Sequence, residues 1–249
     1  MPTFFQGRGT VYLAKVVDGV PGPFNKEICT DSIAVSLQTT PFSHINKCGP
    51  VDVEDFRGTK DQSGTLNLTF ANAEDFLFAL GVLGTVTAAG GSDTVSGEEL
   101  PTDILAGDVY FLGQPTLTRH RAITTLVLSG GLVLNTDYTL DAATGKVKFL
   151  TDQSGSPAIT ASYGYTDPQS VSMFTSATDE YALMYEFINK ANSNNPGSLE
   201  LYRVRFDPIS NLDMQSDELQ IFDIKGSVLA DLTKSATDTE FGQFGRRVL

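Results

Sequence analysis

Apolar and polar residues alternate along much of the chain, the period-two signature of strands with one buried face. Ile33, Val35 and Leu37 fall on one side of such a run, as do Leu66, Leu68 and Phe70. Tyr181, Leu183, Tyr185 and Phe187 repeat the pattern, and Phe222, Ile224 and Val228 end it. Shorter runs over 10–16, 108–112, 123–128, 146–150 and 159–165 predict further strands. In the run 199–206, Leu199 and Leu201 point one way while Tyr202, Val204 and Phe206 point the other. Such a strand is either covered on both faces or bulged. One segment has helical spacing instead: Phe76, Leu80 and Leu83 follow Glu74 and Asp75, whose carboxylates suit the positive end of a helix dipole. This predicts a single flanking helix over 73–83, capped by Asn72 and weakest at Gly81.

Turn residues join the strands. Asp141 to Gly145 suits a hairpin loop with Gly145 in the left-handed region, and Ser193 to Gly197 links two long strands expected to pair. Three segments reach too far for a compact domain. The stretch 39–64, holding Phe42, Pro50, Phe56 and Arg57, reads as a long inter-strand loop. The N-terminal arm carries Phe4 and Phe5, and the C-terminal arm 231–249 carries Phe241, Phe244, Arg246 and Arg247. Rings on Gly-rich, polar segments need a surface to bury them, either on the same subunit or on a neighbour. Phe4, Phe5, Phe42, Phe56, Arg57, Phe241, Phe244, Arg246 and Arg247 are therefore the candidate oligomer interface.

Composition narrows the class. With 249 residues the chain can build one large or two small domains; a single domain over 1–249 is favoured, because the hairpins flanking 115–168 need partners. The 27 Thr and 19 Ser favour pleated surfaces, and the longest apolar run, 76–83, is about half a bilayer span. The 17 Lys and Arg against 30 Asp and Glu give a net charge of −13, the wrong sign for gripping phosphates. The excess gathers in 72–118, which has 7 acids and no base. Asp93, Glu98, Glu99, Asp103 and Asp108 there read either as a solvated loop or as a surface that repels anions. Cys29 and Cys48 are too few for a disulfide framework and fit a reducing compartment.

Candidate chemistry is thin. His44 and His120 have no Cys, Asp or Glu at metal-ligand spacing, and no nucleophile elbow, zinc-protease, dinucleotide or phosphate-loop motif occurs. Glu54-Asp55 and Glu98-Glu99 place adjacent carboxylates on opposite faces of an extended chain, unlike a glycosidase pair. Asp213, Asp217 and Glu218 lack calcium-loop spacing, and a chain without Trp is poor in sugar-stacking platforms. Neither an enzyme nor a cofactor is expected.

Several ordered strings carry a family likeness. The run from Gly197 through Tyr202-Arg-Val-Arg-Phe206 to Pro208, then Asp217-Glu218, Gly226-Ser-Val-Leu-Ala-Asp231 and Gly242-Gln-Phe-Gly-Arg246, resembles the C-terminal third of the major tail proteins, or tail tube proteins, of long-tailed bacteriophages. Thr136-Asp-Tyr-Thr-Leu-Asp141, Tyr163-Gly-Tyr165 and the opening Gly9-Thr-Val-Tyr-Leu-Ala-Lys15 look like the same family. The resemblance implies a mainly β, sandwich or barrel-like fold with one flanking helix and extended arms. It further implies hexameric rings stacked into a hollow virion tube, assembled in the host cytoplasm, through which DNA passes without specific binding. Implied partners are further copies of itself, a tape-measure protein in the lumen, and tail terminator and distal tail proteins; the subunit does not insert into a membrane. On that reading the acids of 93–108 line the channel or coat the outer wall. The alternative is a non-polymerising β-sandwich adhesin, decoration or fibre protein, separated from the first by assembly.

Overall fold

The computed structural model describes residues 4–48, 50–70, 74–116, 119–154, 157–215, 217 and 221–248. In chain order the first elements are β1 (Gly7–Val17), β2 (Val20–Pro21), β3 (Lys26–Ile28), β4 (Ser32–Asn46), β5 (Val53–Phe70) and α1 (Asp75–Gly81). There follow β6 (Val86–Thr87), β7 (Ser92–Glu99), β8 (Val109–Phe111), β9 (Arg121–Leu128), β10 (Tyr138–Asp141), β11 (Lys146–Phe149), β12 (Thr160–Thr166) and β13 (Ser170–Val171). The chain ends with β14 (Glu180–Asn189), β15 (Asn195–Phe206), β16 (Phe222–Leu229) and β17 (Gly245–Val248). The fold is mainly β with one α-helix among the described residues, as the periodicity predicts. No helix among them is long and apolar enough to cross a membrane.

Where a single domain is expected, the chain divides into two compact units, residues 1–85 with 172–249 and residues 86–171. Each has its own apolar cluster, so the hairpins around 115–168 find their partners inside the second unit.

The first unit is one antiparallel sheet in the order β2-β1-β14-β15-β16-β5-β4, with β17 added to β15 and β3 to β1. Its inward positions follow the alternation read from sequence: Leu13 faces Leu183, Ile224 faces Leu68, and Val35 faces Leu66. Val11 and Leu13 near one edge share a core with Leu66 and Leu68 near the other, so the sheet curls around its contents. The pairing of β14 with β15 shifts register between Tyr181 and Leu183. That bulge turns Leu201 and Val204, three residues apart, both inward, and so accounts for the two-sided run 199–206.

Helix α1 is shorter than predicted, spanning Asp75–Gly81, with Leu77, Ala79 and Leu80 buried against the sheet. The expected cap Asn72 and first residue Ala73 lie outside the described residues. Leu83 ends the helix at φ +50°, in the left-handed region that Gly usually fills.

The second unit has two three-stranded sheets, β7-β12-β9 and β10-β11-β8, around Leu112, Val147, Phe149, Ala161 and Tyr163. The predicted hairpin is β10–β11, with Gly145 at φ +67°. A side chain there would also clash with the His120 carbonyl oxygen, so the turn requires glycine twice over. The acid-rich stretch, read either as a solvated loop or as an anion-repelling surface, contains strand β7, which pairs with β12. At the unit's two ends β6 and β13 form a short ladder, Val86 opposite Val171.

Candidate functional site

The expected loop over 39–64 is the outer part of one long β-hairpin. Strand β16 pairs with β5 only as far as Gly64 opposite Val228. Beyond it β4 and β5 continue to pair with each other, from Gln38 opposite Ser63 to Asn46 opposite Val53. At about 3.3 Å per residue over the nine ladder positions of β4, this overhang carries the arm about 30 Å past the end of the sheet. Nearly every arm residue is exposed, including Phe42, Ile45, Val51, Val53 and Phe56. With no buried face there is no alternation to read, and the stretch looks like a loop in sequence. The arm is nevertheless built. The Phe42 and Phe56 rings lie 5.6 Å apart, and Phe42 crosses Gly58, where a Cβ would sit 2.6 Å from its ring. His44 Nδ1 lies 2.6 Å from Asp55 Oδ1, and Arg57 is exposed opposite Ser43.

Strand β4 is also a sheet edge: among the described residues no strand pairs with its outer side. Proteins usually blunt such edges with charge, proline or bulges. Pro41 and two register shifts, at Thr40/Pro41 and His44/Ile45, do this toward the tip. From Ser32 to Thr40 there is no charged residue and no proline, and no register shift precedes Thr40/Pro41.

The terminal candidates lie elsewhere than on an extended arm. Strand β17 pairs with β15 from Ser198 to Leu201, filling the part of that edge left free by β16, which takes Arg203 to Phe206. Arg246 donates to Glu200 at 2.8 Å and stacks 4.5 Å over Phe241. The Tyr202 hydroxyl donates to the Phe241 carbonyl, and the Tyr202 N–H to that of Phe244. Phe5 meets Phe187 edge-on at 5.3 Å, and the Arg247 guanidinium covers Phe5 at 4.5 Å. Phe5, Phe241, Phe244, Arg246 and Arg247 thus pack on their own chain, because the edge of β15 offers the C-terminal residues a ladder within reach. Phe4 is 69% exposed.

All five singled-out acids belong to the second unit. Asp93, Glu99, Asp103 and Asp108 are exposed, Asp93 and Glu99 on β7 and Asp108 just before β8. Asp108 Oδ2 accepts from the Leu105 N–H at 2.9 Å. Glu98 is half-buried, and its carboxylate accepts from the Tyr110 hydroxyl at 2.8 Å, the Gly113 N–H at 3.0 Å and the Tyr163 hydroxyl. Since the Tyr163 hydroxyl already donates its hydrogen bond to Glu98, the Nδ1–H of buried His120 donates to the Tyr163 oxygen at 2.8 Å. His120 stacks on Tyr165 at 3.7 Å. Desolvation, and then the hydrogen bond to Glu98, push the Tyr110 and Tyr163 phenols well above their ordinary range. These residues join the two sheets of the unit, and Glu98 spends its charge on fixing them. Adjacent Glu98 and Glu99 look equivalent in sequence; only the tertiary fold separates them.

The family described as "Protein of unknown function UCP028589" matches residues 4–248, nearly the whole chain. The chain belongs to this family. No curated protein matches it. The family's match runs through both compact units, so the second unit is part of the family pattern.

Proposed function

We propose that the chain is a structural subunit of a bacteriophage tail tube, assembling with further copies of itself into rings of six that stack into a hollow conduit for DNA. The observation that carries this reading is the β4–β5 hairpin. It combines an edge strand left unblunted over Ser32 to Thr40 with an arm that overhangs its own sheet and exposes Phe42, Ile45, Val53 and Phe56. Edge pairing between copies satisfies backbone groups that a monomer leaves to water, and a heterologous contact that closes by rotation gives a ring. The arm then lies along a neighbouring copy, burying apolar side chains that find no cover on their own unit. The likeness of the Gly197–Pro208 and Gly226–Asp231 strings to tail tube proteins points the same way.

Charge suits a passive conduit. At −13 per copy, six copies carry a formal −78, which repels a phosphate backbone over roughly 8 Å at physiological salt. On this reading tape-measure, terminator and distal tail proteins meet the tube, and the protein resides in the virion tail.

The edge is tested by comparing the parent protein with Leu37→Lys in sedimentation velocity over a concentration series. Leu37 is 74% exposed, so a lysine there leaves the core intact while placing a charge on the proposed seam. The expected result is assembly of the parent and a folded, monomeric variant. A parent that stays monomeric throughout would favour a non-polymerising adhesin or decoration protein.

A further inference from the structure

We infer that Met173 and Phe174 form a knob that seats in an apolar groove at the opposite end of a second copy's first unit. The inference rests on the assembly reading and names one contact within it. Met173 and Phe174 are 56% and 67% exposed, yet their loop is not free to turn them inward. The Phe174 N–H donates to the Val82 carbonyl at 3.1 Å, and the Ser176 N–H to that of Leu83 at 2.9 Å. Ser176 Oγ donates to the Gly84 carbonyl at 2.9 Å, and the Ser172 N–H to that of Thr85 at 3.1 Å. The hydroxyls of Thr85, Thr175 and Ser172 complete the lock at 2.8 Å from one to the next. Any side chain on Gly84 would clash with the Ser172 carbonyl oxygen. The locked loop holds Phe174 at φ +57°, with Leu83 beside it at +50°, conformations that bulky residues take only when their surroundings impose them. A chain that needed only to connect β13 to β14 would place Gly or Asn there. Here the strain keeps an aromatic ring pointed into solvent.

The receiving surface is an open groove of about 640 Å³ lined by Tyr12, Ile188, Pro196 and Val248, with Arg8 and Glu186 among its polar residues. Ile188 and Val248 are each 41% exposed there. Knob and groove stand at opposite ends of β14. The knob loop enters that strand at Glu180, and Ile188 lies eight residues on, about 27 Å away. A convex apolar pair at one end and an apolar groove at the other are complementary rather than alike, so copies stacked in one direction bring one onto the other. They meet head to tail, as in a stacking contact. A second copy is the occupant that fits, because the hairpin arm projects from the groove end of the same sheet, along the direction in which the next copy would lie.

The test mixes single-cysteine chains built on a Cys29→Ser, Cys48→Ser background. One carries Phe174→Cys and the other Ile188→Cys, and each is checked by circular dichroism for the parent fold. The expected result is a disulfide-linked pair in the mixture and none in either chain alone under assembling conditions. In parallel, Phe174→Asp should raise the concentration for half-assembly by about tenfold or more, as loss of an aromatic anchor does, while Phe174→Leu retains most of the parent behaviour. If the parent assembles and the mixture gives no cross-link, or Phe174→Asp assembles at the parent concentration, this contact is wrong and the assembly reading survives. If the parent never assembles, both fall.

Discussion

Glu98 shows how one side chain can look like surface charge and act as a brace. Its carboxylate accepts hydrogen bonds from two phenols and one backbone N–H, joining β7 to β8 and β12. Glu98→Gln keeps the shape but turns an acceptor into a donor facing two hydroxyls. Hydrogen bonds to a charged group contribute about 1.5–3 kcal/mol, so a loss of about 2 kcal/mol is expected in denaturant unfolding of this unit. Glu99→Gln, at an exposed neighbour, should leave the midpoint within about 0.5 kcal/mol of the parent. The tyrosines give a pH dependence of definite sign. Burial, with the charge of Asp179, pushes Tyr181 up to about 12, and Tyr110 and Tyr163 are raised as well. Above an ordinary phenol value of 10.0 the unfolded chain releases protons that the folded chain keeps. The stabilisation is complete below about pH 10 and lost as pH rises, for Tyr181 between about 10 and 12. Tyrosinate absorbance should therefore appear late in the folded protein and rise together with loss of the circular dichroism signal. Ordinary titration of all eight tyrosines near pH 10 with the fold intact would contradict this.

At the scale of elements, the hairpin arm and the second unit are both separable from the main core. Thr39 faces Gln62 across the ladder, so residues 40–61 can be replaced by an Asn-Gly turn without altering the register below. Because the removed residues are almost all exposed, the shortened protein should unfold within a few degrees of the parent while failing to assemble. A large fall in melting temperature would mean that the arm folds back and stabilises its own subunit. Residues 86–171 hold a complete apolar cluster, and their ends pair through β6 and β13. That segment, expressed alone, should give a cooperative thermal transition and dispersed amide resonances.

Elements also show what sequence can reveal. Strands with one buried face, such as β14 with Tyr181, Leu183, Tyr185 and Phe187, announce themselves by alternation, and the hairpin at Gly145 by its turn chemistry. The outer parts of β4 and β5 have no buried face, so their pairing leaves no hydrophobic period. The division into two units was hidden too, because β6 and β13, which bound the second, are two residues each. Phe241, Phe244, Arg246 and Arg247 were legible as a set with somewhere to go, but only the free stretch of β15 shows that they stay on their own chain.

For the whole molecule the balance is between apolar contact and like charge. Copies carrying −13 each repel at long range, while on the assembly we propose the edge, arm and knob would attract only on contact. Raising salt from about 0.01 to 0.15 M shortens the screening length from about 30 to 8 Å. Assembly should therefore begin at lower protein concentration in the higher salt, as light scattering would report; inhibition by salt would point to an interface built on ion pairs.

The central claim is that this chain builds a tube from itself, and negative-stain electron microscopy of the purified protein across a concentration series at physiological salt tests it most directly. Rings of six and hollow stacked tubes are the predicted result. Isolated monomers at every concentration, and still when preformed tail tips are added as initiators, would contradict it.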